Sequence, residues 1–543
     1  MIKKVLLALF CISIILMALV SCKNAPVKCH HEWTEADCEA PKTCSKCGKI
    51  KGEALGHEYS EEENKCTRCN AEYSNELEFA KYDDSDTYYV KKMNKTLNTE
   101  ILIPPVYQGC KVTGIGEFAF NGQKNITKVV IPDGVTNIEN MAFANCTDLT
   151  KVLIPKSVTS IGNAVFSGCS NLVDLKLPED LTCLGDRVFL CCYALTNIVI
   201  PDGITVIGES AFAGCSSLES VDIPKGLVSI NDEAFSGCIA LEGITIPRGV
   251  ESIGYDAFES CSSLKHIDVH KRNNNYTSVD GNLYSKDKTT LIRYAAGKED
   301  TSFKVPKKVK MIETRAFDSS CNLTNVTLPD GITSIEGFTF FYCTSLITVI
   351  IPDSVTSIGN EAFKYCESLV NITIPDSVTS IGRGVFCACP ALTSIIIPDG
   401  ITSIEDSLFF GCSSLESVTI PNSVTNIGGF AFGACSKIES ITIPDSVTSI
   451  GEYAFSGCRS LVSIAIPSGV TKINTGTFQN CSALQSITIP SSVKKAEGYA
   501  FDGCSAVKHV YYGGTRNSWN YIVSNTNNFY LDYATIHYNY KPE

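Results

Sequence analysis

The stretch Ile204-Thr205-Val206-Ile207-Gly208-Glu209-Ser210-Ala211-Phe212-Ala213-Gly214-Cys215-Ser216-Ser217-Leu218-Glu219-Ser220-Val221-Asp222-Ile223-Pro224 decides the fold, because the chain keeps repeating it. From Phe120 to Phe258 a Phe recurs every 23 residues, and from Phe317 to Phe501 the step is 23 again. A unit this short cannot bury its own apolar side chains; only the copies before and after can cover them, so the period specifies a solenoid. Within a copy, Leu218, Val221 and Ile223 carry the Leu-x-x-Leu-x-Leu spacing of a short parallel strand, which Pro224 ends. Ile204-Thr205-Val206-Ile207 is rich in β-branched residues and closes on Gly208, which predicts a second extended piece before a turn. Ala211 and Phe212 then point inward from a short helical or irregular arc.

Copies such as Val355-Thr356-Ser357-Ile358-Gly359 with Ala362-Phe363, Cys366, Leu369, Ile372, Ile374 and Pro375 resemble the units of the BspA-like leucine-rich repeat proteins. The resemblance covers about three quarters of the chain. It implies a surface or secreted bacterial protein, or a homologue in a mucosal protist, that binds host matrix components, host cell-surface proteins, other cells such as other bacteria, or itself. The expected architecture is a mainly β and irregular solenoid of about 16 coils over residues 112–505, with an enlarged coil at 270–306. A cap over 71–111 precedes the array and another over 506–543 follows it, since an uncovered last coil would expose an apolar face and a sheet edge. Tyr88-Tyr89-Val90 and Ile101-Leu102-Ile103-Pro104 read as two strands of a hairpin in the first cap. In the second, Trp519 suits an apolar lid.

Fourteen copies carry a Cys three residues after the Phe, from Cys146 to Cys261 and from Cys343 to Cys504. A nucleophile does not come in fourteens; stacked in register, these side chains point the same way and form a buried ladder of free thiols. After Phe317, Ser320 takes the ladder slot and Cys321 falls one place late. The period also breaks between Phe258 and Phe317. There Tyr276-Thr277-Ser278-Val279, Asp280-Gly281 and Asn282-Leu283-Tyr284-Ser285 read as a hairpin, with a Lys286-Asp287-Lys288 turn before Leu291-Ile292. Such an insert is either a protruding ligand loop or a spacer that the stack tolerates.

The first residues read as an export leader: Lys3-Lys4 precede an apolar run from Val5 to Val20. Leu19-Val20-Ser21-Cys22 resembles the lipobox of bacterial lipoproteins, which implies removal of 1–21, acylation of Cys22 and a tether over 22–28. The expected location is the bacterial membrane, outer membrane or cell surface, held through that anchor.

A module of different composition occupies 29–70. His31, Cys38, Cys44 and Cys47 offer the donors of one tetrahedral zinc, and His57, Cys66 and Cys69 with Cys29 or His30 those of a second. Disulfides are the alternative, since an exported segment of this size needs some cross-link to fold. Four protein ligands close each site, which disfavours a catalytic metal.

The formal charge is −13, with no basic excess to neutralise phosphates, so nucleic acid is not an expected partner. Catalysis needs unlike residues brought together once, whereas the array offers like residues many times; the chain reads as a non-enzyme. A partner would meet the residue just before the last inward position of each strand, which faces outward once per coil. In the first half this row contains Val130, Leu153, Lys176, Val199, Asp222 and Asp268; in the second it is mostly Thr. The competing reading is a structural spacer or self-associating rod with no specific host ligand.

Overall fold

A computed structural model describes residues 64–541 except 84, 95–97 and 524–527, together with 34, 36, 38, 42–44, 50, 51, 59 and 60. Two rows of short parallel strands follow the solenoid, divided into several sheets, and within the regular array successive strands are displaced by one 23-residue period. In the first, strands Glu100–Leu102, Lys128–Val130, Lys151–Leu153 and Asp174–Leu175 pair in register, Val129 beside Val152. In the second, Cys110–Ile115 is followed by Asn137–Ile138, Ser160–Ile161 and Cys183–Leu184. The strands are only two to four residues long through most of the array, because the coil must turn after each pair of inward side chains.

The arc between the ladders is a run of turns rather than a helix. Residues two before and two after each Phe take left-handed backbone conformations, as at Ser210 (φ 50°) and Gly214 (φ 73°) around Phe212. Those two reversals let the Phe backbone pair with the next coil: the N–H of Phe212 donates to Ala234 O at 2.8 Å. Gly208 is required by a close approach, since a Cβ there would lie 2.4 Å from Asp186 Oδ1.

Inside, the Phe rings form two stacks, from Phe120 to Phe258 and from Phe317 to Phe501. Successive centroids lie 5.3 Å apart from Phe212 to Phe235, tilted by 2°, and 5.9 Å apart from Phe235 to Phe258. Each ring is fully covered by its two neighbours, so burial worth about 1.5–3 kcal/mol per side chain exists only in the stack.

The hairpin expected in the enlarged coil is present. Tyr276–Val279 pairs antiparallel with Asn282–Ser285 around Asp280 (φ 50°) and Gly281 (φ 75°). Asn282–Ser285 in turn pairs with Thr290–Arg293, which rejoins the ladder beside Met311–Ile312. Tyr294 lies one period before Phe317 and takes the ring position, 5.4 Å from it. The apolar core is nonetheless divided here: one cluster runs from Leu77 to Leu283 and another from Tyr284 to Leu531.

The hairpin expected in the first cap is not formed as read. Strand Thr87–Met93 pairs antiparallel with Leu77–Lys81 and parallel with Cys110–Ile115. Glu100–Leu102 belongs to the other ladder, as a coil that lacks the Phe and Cys of its successors but keeps the inward Ile101 and Ile103. At the other end, helix Arg516–Val523 places Trp519, 5% exposed, 5.4 Å from the Tyr512 ring, and Thr535–Tyr538 adds a last parallel strand. Asn528 ties this lid down: its Oδ1 accepts from Phe501 N at 2.8 Å and its Nδ2 donates to Glu497 O.

Candidate binding face and thiol cluster

The outward row follows the strand register. Val130 sits beside Leu102 and Leu153, Asp222 beside Val199, and Asp268 beside Thr245. Its free part begins later than the sequence suggests. Val130 is only 9% exposed and Leu153 is half-buried, because Tyr73 and Ala71 pack against Leu102, Val130 and Leu153. Backbone pairing fixes that contact: Ser74 N donates to Leu102 O at 2.9 Å, and Leu102 N donates to Ser74 Oγ at 3.1 Å. The first stripe positions are therefore covered by the segment that leads out of the Cys-rich module.

Beyond that cover, Lys176, Val199, Asp222 and Asp268 are exposed, Val199 by 62%. Lys176 Nζ lies 3.8 Å from Glu179, and His266 Nδ1 lies 3.0 Å from Asp268. Lys304 joins the row because Ser302–Lys304 pairs with Asn325–Thr327. The signal was legible, since Phe303-Lys304-Val305-Pro306 keeps the apolar-x-apolar-Pro ending of the other strands. Further on, isolated apolar side chains stand among threonines, Ile350 at 59% and Ile396 at 72% exposure.

Where the Phe stack is interrupted, charge enters the interior. Asp318, fully buried, accepts from Ser260 N across the break at 2.7 Å and meets the Arg293 guanidinium at 3.4 Å. Arg315 holds Asp256 at 3.1 Å and Glu259 at 2.7 Å while its guanidinium lies 4.2 Å from the Phe338 ring. Burial pushes the Asp256 carboxyl up to about 6, against the pull of Arg315. No repeat position announced this cluster; only the loss of the Phe step hinted at it.

In the Cys-rich module the structure brings together Cys38, Cys66 and Cys69, whose sulfurs lie within 4.8 Å of one another. Cys38 Sγ is 3.7 Å from Cys66 Sγ. A hairpin presents the second pair: Tyr59–Ser60 pairs with Lys65–Cys66, and Asn70, left-handed at φ 59°, donates its N–H to Cys66 O at 2.8 Å. Cys66 N donates to Ala71 O at 3.0 Å, which closes the Cys-x-x-Cys turn. Burial, with Cys66 and Cys69 alongside, pushes the Cys38 thiol up to about 12. Cys44 is buried beside the Lys42–Thr43 strand. Cys22, His31, Cys47 and His57, with Cys29 and His30, lie outside the described residues. No described helix is long and apolar enough to cross a membrane.

The family model for the BspA type leucine rich repeat region matches six copies, over 98–216, 184–295, 294–416 and 379–508. The chain belongs to the BspA-type leucine-rich repeat family. Among solved structures of this repeat type, a leucine-rich cell surface protein from Faecalibacterium prausnitzii is 30% identical; the match covers 83% of this chain and 97% of that one, with a TM-score of 0.47. A leucine-rich repeat protein from Bacteroides ovatus is 28% identical over 86% of this chain and 98% of its own, with a TM-score of 0.40. The pneumococcal vaccine antigen PcpA is 19% identical over 86% and 98%, with a TM-score of 0.41. No curated protein matches the chain. The solenoid of this family, with a regular outward face repeated coil after coil, is consistent with protein binding.

Proposed function

We propose that the chain is a cell-surface lipoprotein that uses the outward row of its solenoid to bind proteins, adhering to host matrix or cell-surface proteins or to other bacterial cells. The observation that carries this reading is the row itself: Lys176, Val199, Asp222 and Asp268 stand exposed at equivalent places of their coils, Val199 paired with Asp222 and Asp268 with Thr245 on short parallel strands. Side chains on successive strands are about 4.8 Å apart, so an extended partner can meet one coil after another without the solenoid changing shape. Mixed charged and apolar positions give such a face selectivity that a uniform Thr surface lacks. Acylation of Cys22 would hold the molecule at the membrane, and zinc bound by cysteines and histidines of the 29–70 module would give that short segment its fold. The test is binding of the purified mature chain to immobilised fibronectin, fibrinogen and whole cells. Saturable binding to one of them supports adhesion; none to any supports a spacer.

A further inference from the structure

The zinc reading above treats the module as two separate knuckles, each with its own ligands, but the structure draws them together. We infer that Cys38, Cys66 and Cys69 supply three thiolates to one soft metal ion, so that this centre takes its donors from both knuckles and cross-links the module. The inference rests on the zinc reading and deepens it.

Three observations support the shared centre. First, the three sulfurs already lie within 4.8 Å of one another, and the 3.7 Å between Cys38 Sγ and Cys66 Sγ matches the ~3.8 Å between thiolates bound to one tetrahedral zinc at about 2.3 Å. Second, the Cys66–Cys69 turn is preformed by backbone hydrogen bonds, Asn70 N to Cys66 O and Cys66 N to Ala71 O, so two donors are oriented without the ion. Third, Cys38 and Cys66 are both buried, and although 28 residues apart in the chain their sulfurs lie 3.7 Å from each other. The same hairpin continues through Tyr73 onto Leu102 and Val130, so an ion held here would also anchor the module to the first coil.

The experiment measures zinc bound to the full mature chain, purified under reducing conditions, for Cys38→Ser, Cys66→Ser, Cys69→Ser and the Cys38→Ser/Cys66→Ser double variant. Each single variant is expected to lose one equivalent, and the double variant the same one equivalent. A loss of two equivalents in the double variant, or full retention in Cys38→Ser, would overturn the shared centre while leaving zinc in place. Because a variant that loses zinc could also have lost its fold, Co²⁺ is loaded into the wild type and Cys38→Ser. At Co²⁺ concentrations high enough to refill the weakened site, the thiolate-to-metal charge-transfer band is expected to be weaker in Cys38→Ser by one thiolate's share; an unchanged band contradicts the proposal. A wild type with no metal and a Cys38–Cys66 disulfide in its peptide map would instead remove the zinc reading itself.

Discussion

Cys215 donates its S–H to the carbonyl of Phe189, 26 residues earlier, at 3.2 Å. All fourteen ladder cysteines repeat this bond to the Phe of the preceding coil, at 3.0–3.3 Å. The Cys is chosen for two tasks at once: it is small and apolar enough for the core, and its S–H gives the Phe carbonyl a second donor beside the backbone N–H of the turn, which for Phe189 O is Cys192 N at 3.1 Å. Cys215→Ala should therefore cost about 1 kcal/mol for the neutral hydrogen bond, against about 3–5 kcal/mol for Phe212→Ala. Thermal melts and hydrogen exchange of the flanking coils measure both. Burial pushes the Cys215 thiol up to about 12, so a thiol reagent at neutral pH should label exposed Cys183 and leave Cys215 untouched until the array unfolds.

The charged seam should give the enlarged coil its own pH dependence. Asp256 is surrounded by Arg315, Glu259, Arg293, Asp318 and Tyr255, and burial raises its carboxyl to about 6. The folded coil holds that proton more tightly than the unfolded chain does. Its contribution to stability is thus complete below the ordinary carboxylate range and lost as pH rises through about 6. Asp256→Asn should remove this falling component between pH 4 and 7 in hydrogen exchange around residues 256–260. Parallel curves for variant and wild type would contradict it. Asp318→Ala, which strands Arg293 in the interior, should cost about 3–5 kcal/mol.

At the carboxyl end, Trp519→Ala should cost about 3–5 kcal/mol and fray the last coils first, because an end coil has a neighbour on one side only. Faster amide exchange confined to the strands from Ser486 onward would show this; uniform destabilisation of the array would contradict it.

The lipid anchor is tested by fractionation. Cys22→Ala should move the protein from the membrane fraction to the soluble exported fraction, and a variant that stays in the membrane would contradict the lipoprotein reading.

What could be read from the sequence was whatever repeats. The Phe stack, the Cys ladder, the Asp280-Gly281 hairpin and the Trp519 lid each follow from a local pattern whose geometry one coil transmits to the next. What could not be read depends on contacts with no period. Tyr73 covers Val130 and Leu153, positions that pattern alone leaves open to a partner, because a non-repeating segment folds back on the first strands. Cys38 meets Cys66 across 28 residues, a contact that no repeat spacing specifies. Asp318 and Arg293 are ordinary exposed-type residues in the linear chain; only the insert, by displacing one ring, makes room for them inside. Ile101-Leu102-Ile103 was legible as a strand and not as a coil, since it lacks the Phe and Cys that mark the others.

Binding of protein by the exposed outward row is tested by the Lys176→Glu/Asp222→Lys/Asp268→Lys variant, titrated against whichever of fibronectin, fibrinogen or whole cells the wild type recognises. These side chains are exposed and make only surface ion pairs, worth about 0–1 kcal/mol each, so the melting temperature should hold within a few degrees. At least a tenfold loss of affinity with the melt unchanged is expected. Undiminished binding by the folded variant would contradict it.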